Sequence, residues 1–331
     1  MKYKYASEPW FPSNESAFTL FAAITHECNL QCLHCFAANS EKSQSVTLDD
    51  HDWFKIFDQL ALLENPRLFF TGGEPLVHPS LMDFTRYASI KGIPIIIGTN
   101  ATLVNNRIAK DLSAAGVAEA RVSIDGSSSE MHDFLRGEGS FDKMINGIHA
   151  LKDADIGVSI RTTIHKANCQ YLDSIAVFLD KLNICDWEIK HLIPKGRALS
   201  HPELYTSSEE KVVALETILT IARNNSFPDM QIKLMEGVLH RDAVIPDTIK
   251  VATCPAGSKM MVVQPLGDVI PCGYLTSKVV GNITKTTLQE IRSAWHEFEE
   301  IPLPAGCINC NHKHVCKGGC PAFDFCAEEG I

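Results

Sequence analysis

Between residues 16 and 193 six short apolar runs alternate with five amphipathic stretches, and that rhythm limits the possible folds more than any other feature. The runs are Leu20 to Ile24, Leu68 to Phe70, Ile93 to Ile97, Ala120 to Ile124, Val158 to Thr162 and Trp187 to Leu192. Each is strand-length. Between them lie helical patterns, about Leu48 to Leu63, Pro79 to Lys91, Asn105 to Ala115, Phe141 to Asp153 and Tyr171 to Leu182. Such an alternation predicts an α/β fold, a parallel sheet with right-handed crossovers. An open doubly wound sheet and a curved partial barrel read alike at this level.

The residues that follow each run separate the two. Three cysteines follow the first, and Gly72-Gly73-Glu74 follows the second. The third ends in Gly98-Thr99-Asn100, the fourth carries Ser123 and Asp125, the fifth Arg161, and the sixth reaches His191. Taken singly, each is an ordinary loop residue. Unusual chemistry at the C-terminal end of one strand after another is the layout of a βα barrel's active face.

Lys plus Arg total 30 against 40 Asp plus Glu, a net charge of -10, which argues against a general nucleic-acid binder. No apolar run is long enough to span a membrane, and residues 1–12 lack a signal peptide's apolar core. A cytoplasmic protein is expected, and there disulfides are rare. Yet the chain has 12 cysteines, of which only Cys169 and Cys185 stand outside two patterned groups. In a reducing compartment such grouping reads as metal or cluster ligation.

The first group is Cys28-x3-Cys32-x2-Cys35. Three thiolates in eight residues can wrap one soft-metal centre and leave a coordination position open. A structural zinc site would need a fourth ligand, for which His26 and His34 are the nearest choices. This spacing after the first strand, with Thr71-Gly72-Gly73-Glu74-Pro75 after the second, resembles the radical S-adenosylmethionine (SAM) superfamily. The resemblance implies a partial (β/α)6 barrel of the TIM type and a [4Fe–4S] cluster on Cys28, Cys32 and Cys35. The open iron would chelate SAM's amino and carboxylate groups. Gly72, Gly73 and Glu74 would meet the amino group, Ser123 and Asp125 the ribose and methionine parts, with Asn100 lining the pocket. Arg161 would pair with the carboxylate and Leu192 would offer backbone to adenine. The implied chemistry is one-electron cleavage of SAM to a 5′-deoxyadenosyl radical that takes a hydrogen atom from the substrate.

The second group is Cys254-x12-Gly267-x4-Cys272, a gap, Cys307-x2-Cys310-x5-Cys316-x3-Cys320, a gap, and Cys326. Seven cysteines in this order resemble the SPASM domain of radical SAM peptide-modifying enzymes. By that resemblance Cys307, Cys310, Cys316 and Cys326 hold one auxiliary iron–sulfur cluster, and Cys254, Cys272 and Cys320 another. No eighth cysteine follows Cys254 in Pro255-Ala256-Gly257-Ser258-Lys259-Met260, so the second auxiliary cluster is expected to have an open iron or a non-cysteine ligand.

The division expected is an N-terminal extension over 1–15, a barrel over 16–195, a helical linker over 196–250 with a helix near Ser207 to Asn224, and a SPASM domain over 251–331. The resemblance implies an enzyme that oxidatively modifies a ribosomally made peptide by cross-linking, thioether or ether formation, or epimerisation. A flavodoxin or ferredoxin would supply electrons. With little chain before the first strand, a leader would engage a separate carrier protein or the barrel itself. Tetrapyrrole side-chain modification is the alternative task, and a zinc-binding scaffold the alternative of another class. Of the histidines only His191 sits where it could face the cavity, and His191 and Tyr274, just after Cys272, are the candidates to take or give a proton, with no spacing that singles out either.

Overall fold

The computed structural model describes residues 17–37, 47–235, 243–252, 254–294, 308–316, 319–320 and 322, with backbone alone at 315 and 316. The expected N-terminal extension, Cys307 and Cys326 lie outside the described residues, as does the side chain of Cys316.

The six expected strands form as β1 (Phe18–Thr25), β2 (Pro66–Gly72), β3 (Ile95–Thr99), β4 (Val117–Ser123), β5 (Gly157–Ile164) and β6 (Asp186–His191). They pair in sequence order and in parallel. The crossovers carry α1 (Asp50–Ala61), α2 (Leu81–Ile90), α3 (Asn106–Ala115), α4 (Ser129–Arg136), α5 (Ser140–Asp153) and α6 (Leu172–Lys181). This is a partial (β/α)6 barrel.

Local chemistry sets the helix ends. The Asp49 carboxylate caps α1 by accepting from Asp52 N at 2.9 Å, and α1 buries Trp53, Ile56, Phe57 and Leu60, one stripe at helical spacing. Asn105 caps α3, whose far end is closed by Gly116 at φ 104°, the left-handed region that favours glycine. The helix α4 was not among the sequence expectations. Its segment offers few apolar positions and instead buries His132, Leu135 and Arg136.

The stretch read as a helical linker holds more than a helix. After α7 (Ser208–Arg223), opened by a capping box of Ser207 and Glu210, come two short strands, β7 (Gln231–Leu234) and β8 (Ile249–Val251). Both continue the parallel sheet beyond β6. From the C-terminal region, β9 (Met260–Val263) pairs in parallel with β1, Thr19 opposite Met260, and leads into the antiparallel β10 (Asp268–Ile270) and β11 (Gly281–Asn282). Among the described residues the result is one eleven-stranded sheet in the order β11-β10-β9-β1-β2-β3-β4-β5-β6-β7-β8. The short helices α8 (Leu288–Ser293) and α9 (Lys313–Cys316) complete the elements.

Alternation along the strands sorts the side chains. Leu20, Phe70, Ile97, Val122, Ile160 and Trp187 point to the helical layer and form the main core. The opposite, concave face carries Phe21 stacked on Phe69 at 4.6 Å between centroids, then a row of charges. Arg121 lies over the Phe69 ring at 5.4 Å and pairs with Glu188 at 2.8 Å, and Glu188 also accepts from Arg161. Lys233 pairs with Asp186 at the far end of the row. His191 falls on the other face, in line with Trp187 and Ile189 and close to Lys211 of α7, so it does not face the cavity expected for it. Burial lowers its ring to about 4.

Candidate active site at the C-terminal ends of the strands

The cysteine loop follows β1 and is fastened to the neighbouring strand end through its backbone. Gly73 N donates to Thr25 O and Glu74 N to Glu27 O, both at 2.8 Å. A β-carbon on Gly73 would stand 2.0 Å from Glu27 O, and one on Gly72, at φ 130°, 2.2 Å from Thr25 O. The close approach that these glycines permit is therefore to the cysteine loop itself. Glu74 is buried, its carboxylate accepting from Thr99 Oγ1 and Asn100 N at 2.8 Å and from Leu76 N at 3.2 Å. Burial pushes its acid up to about 7.

The loop brings Cys28, Cys32 and Cys35 together, with no disulfide joining them. Cys28 Sγ accepts from Leu30 N at 3.4 Å and from Asn100 Nδ2 at 4.0 Å, while Asn100 also donates to Asn29 Oδ1 at 3.0 Å. Cys32 Sγ accepts from Arg136 Nη1 at 3.9 Å. Burial pushes the Cys28 and Cys32 thiols up, so metal binding must displace their protons. Three soft donors with N–H groups aimed at two of them fit an iron–sulfur cluster. The described part of the loop shows no fourth ligand of the kind that closes a structural zinc site: His34 Nε2 lies 3.3 Å from Asp125 instead.

The other expected SAM contacts ring the same mouth. Ser123 ends β4 directly opposite Arg161 of β5, and Arg161 is ion-paired with Glu188. Glu188, held low by Arg121 and Arg161 against the cost of burial, supplies one negative charge between two guanidinium groups. Leu192 donates its N–H to Ile164 O at 2.9 Å and packs with Leu135, Ala198 and Leu204. Asp125 differs from expectation in direction. Its carboxylate turns inward, accepting from Arg136 Nε at 2.7 Å, Arg136 Nη2 at 2.6 Å and Thr163 N at 2.9 Å. It is fully buried, and Arg136 and His34 hold it well below the usual carboxylate range despite that burial. Sequence reasoning missed Arg136, because it rides on the unforeseen α4.

Two of the C-terminal cysteines lie near the end of β6. Cys272 and Cys320 share a small apolar cluster with Leu275, Ala322 and Ile193, the residue two positions beyond β6. Tyr274 accepts from Lys190 of β6, and its ring lies 4.4 Å from that of Phe36, next to Cys35. Cys254 is half-buried at the turn leading into β9. Cys310 opens a separate turn in which its Sγ accepts from His312 N at 3.4 Å.

Comparison with known proteins agrees with this arrangement. The radical SAM superfamily profile matches residues 23–178, and the SPASM profile, an iron–sulfur cluster-binding domain, matches 254–311. An AdoMet-dependent heme synthase from Methanosarcina barkeri is 29% identical over 322 residues, covering 92% of this chain and 91% of its own. The mycofactocin maturase MftC of Mycobacterium tuberculosis is 25% identical over 314 residues, covering 91% and 78%. The structure of anSMEcpe with bound AdoMet and the Cp18Cys peptide superposes with a TM-score of 0.71 at 21% identity, covering 92% of this chain and 88% of that one. The three-thiol loop, its two-glycine clasp and the cysteine-bearing unit beside them fall in the two matched segments: the chain carries a radical SAM domain over residues 23–178 and an iron–sulfur-binding SPASM domain over 254–311.

Proposed function

We propose that the protein oxidatively modifies a peptide, with the reaction centred where the cysteine loop meets the concave face of the sheet. Cys28, Cys32 and Cys35 hold the [4Fe–4S] cluster. The chemistry supplied there is one-electron reductive cleavage of SAM's sulfonium and hydrogen abstraction from the substrate. The observation that carries this reading is the pair of 2.8 Å backbone bonds tying the cysteine loop to Gly73 and Glu74, which fixes a three-thiol site beside a buried carboxylate.

The chain's own groups bind and orient. Gly72, Gly73 and Glu74 receive the methionine amino group, with Asn100 and Ser123 lining the pocket and Leu192 offering backbone to adenine. Arg161 is held by Glu188, which it shares with Arg121, and Arg121 also lies 3.7 Å from Glu119, so Arg161 is the guanidinium offered to a ligand carboxylate. Asp125 contributes from behind by fixing the wall. The Phe21–Phe69 stack and the buried charge row leave little room for water below the mouth, which protects a reactive species.

In the appended unit, Cys254, Cys272 and Cys320 would hold one auxiliary cluster and Cys307, Cys310, Cys316 and Cys326 the other. The first would supply a route for the electron that an oxidised product must lose, a reading supported by the packing of Cys272 and Cys320 against Ile193. A flavodoxin or ferredoxin supplies the reductant, and a peptide leader engages either a separate carrier protein or the barrel itself. No described helix is long and apolar enough to cross a membrane, and a cytoplasmic setting suits thiols held ready for iron.

The heme synthase relative supports a second reading, a tetrapyrrole side chain as substrate. The two separate in one experiment. Anaerobically reconstituted protein is given the peptide encoded by an adjacent reading frame, or a porphyrin, and 5′-deoxyadenosine release is followed with substrate mass. A mass change in the peptide supports the first reading, and a change confined to the porphyrin replaces it with the second. Colourless, zinc-loaded protein that leaves SAM intact overturns both.

A further inference from the structure

We infer that Arg136 tunes the cysteine loop electrically: its guanidinium, locked by Asp125, donates to Cys32 Sγ and raises the reduction potential of the cluster held there. The inference rests on the reading that Cys28, Cys32 and Cys35 hold a reducible cluster.

The geometry is that of a side chain with one edge spent on its anchor and another presented to sulfur. Nε and Nη2 of Arg136 both reach Asp125 Oδ2, at 2.7 and 2.6 Å. The remaining nitrogen, Nη1, lies 3.9 Å from Cys32 Sγ. Nη2 also sits 3.4 Å from His34 Nε2, so the anchor touches the cysteine loop at a second point. A third link is made by backbone, since Leu33 N donates to Leu135 O at 2.9 Å. The helix end and the loop between Cys32 and Cys35 thus move as one piece.

Burial gives the arrangement its force. Arg136 is 8% exposed and Asp125 fully enclosed, so solvent does little to screen the charge. An ion pair kept for stability alone would be served as well by apolar residues of similar shape, since removing both charges removes their desolvation cost. Placing a cation against a thiolate that carries iron has a different effect. Hydrogen bonds to cluster sulfurs and nearby positive charge favour the more negative, reduced state. Among the described residues the other donors to this loop's sulfurs, Leu30 N and Asn100 Nδ2, are neutral. Arg136 is therefore the charged group in the set, and Asp125 positions it.

The test is a potentiometric titration of the full chain, reconstituted anaerobically and followed by electron paramagnetic resonance on the signal that SAM perturbs. Arg136→Gln is expected to titrate at a lower potential than wild type with unchanged iron per chain. Arg136→Lys, which keeps the charge and loses one anchoring donor, is expected to fall between them. Equal midpoints for wild type and a fully loaded Arg136→Gln overturn the inference. Should that variant fail to load iron, wild-type protein carrying [15N]arginine decides. A hyperfine coupling from arginine nitrogen to the reduced, SAM-sensitive centre is expected, and its absence overturns the inference. Absence of any SAM-sensitive signal in wild type overturns the underlying reading of the cysteine loop, and the role of Arg136 with it.

Discussion

Gly196 lies against Cys35 so closely that a β-carbon built on it would stand 2.5 Å from the Cys35 carbonyl oxygen. The same carbonyl accepts from Arg197 N at 2.9 Å, and Gly196 has φ 60°. The segment after β6 thus presses on the last of the three cysteines. Gly196→Ala adds both a clash and a left-handed non-glycine residue, a cost on the order of 1–3 kcal/mol. The expected result is a shifted Cys35 and loss of the SAM-sensitive paramagnetic signal, with C-terminal iron retained. Iron per chain and the spectrum check it, and a fully loaded, SAM-responsive variant would count against the contact.

Cys28→Ala separates the two cysteine groups. Its loop is fastened locally to Gly73 and Glu74, whereas Cys272 and Cys320 sit in another cluster with Leu275 and Ala322. SAM cleavage is expected to vanish while roughly two thirds of the iron remains, if the chain carries three cubes. Measurement of 5′-deoxyadenosine beside iron content decides, and retained cleavage refutes the assignment.

The pH response of the metal-free protein follows from buried groups. His132, His165 and His191 are each pushed down to about 4 by burial, so between about 6.5 and 4 the unfolded chain binds protons that the folded one refuses. Stability falls there as pH falls. Glu74, pushed up to about 7 by burial, has the opposite slope, stability falling as pH rises between about 4.5 and 7. His26, His34 and His78 are shifted the same way by burial, and Glu119 the same way as Glu74, so the histidines prevail and net stability is expected to fall as pH falls from about 6.5 to 4.5. Urea midpoints at several pH values would show this, and His191→Leu is expected to lower the slope by about one proton.

Lys190 couples the barrel to the appended unit. Its ammonium donates to Tyr274 Oη and lies 5.4 Å from the centre of the Phe36 ring. Tyr274→Phe keeps the ring contact with Phe36 and removes the hydrogen bond, a loss of about 1 kcal/mol in stability. The larger expected effect is on coupling, with more 5′-deoxyadenosine released per modified substrate. A ratio equal to wild type would make the contact a packing feature only.

The sequence shows the first six strands and five of their helices because each repeats apolar residues at its own period. Observed ends fall within a few residues of those expected, as with Leu172–Lys181 for the pattern from Tyr171 to Leu182. What escapes is non-local or polar. The strands β7 and β8 have only four and three residues, too few for a period to show. The pairing of Met260 with Thr19 has no local signal at all. The site reads the same way: the cysteines and Gly72-Gly73 stand out by spacing, but Asp125 looks like a ligand contact until its inward partner is seen. That partner, Arg136, lies on a helix whose buried face includes a histidine and the arginine itself, so no apolar stripe announces it.

The parallel seam between β9 and β1 makes the last quarter of the chain a structural partner of its first strand. Without residues beyond 250, β1 would present a bare row of amides and carbonyls, an invitation to self-association. The appended unit is therefore no detachable cassette. Swapping it between relatives, or expressing the front portion alone, would tear a shared edge, and engineering of substrate range should leave this border whole and alter the mouth instead.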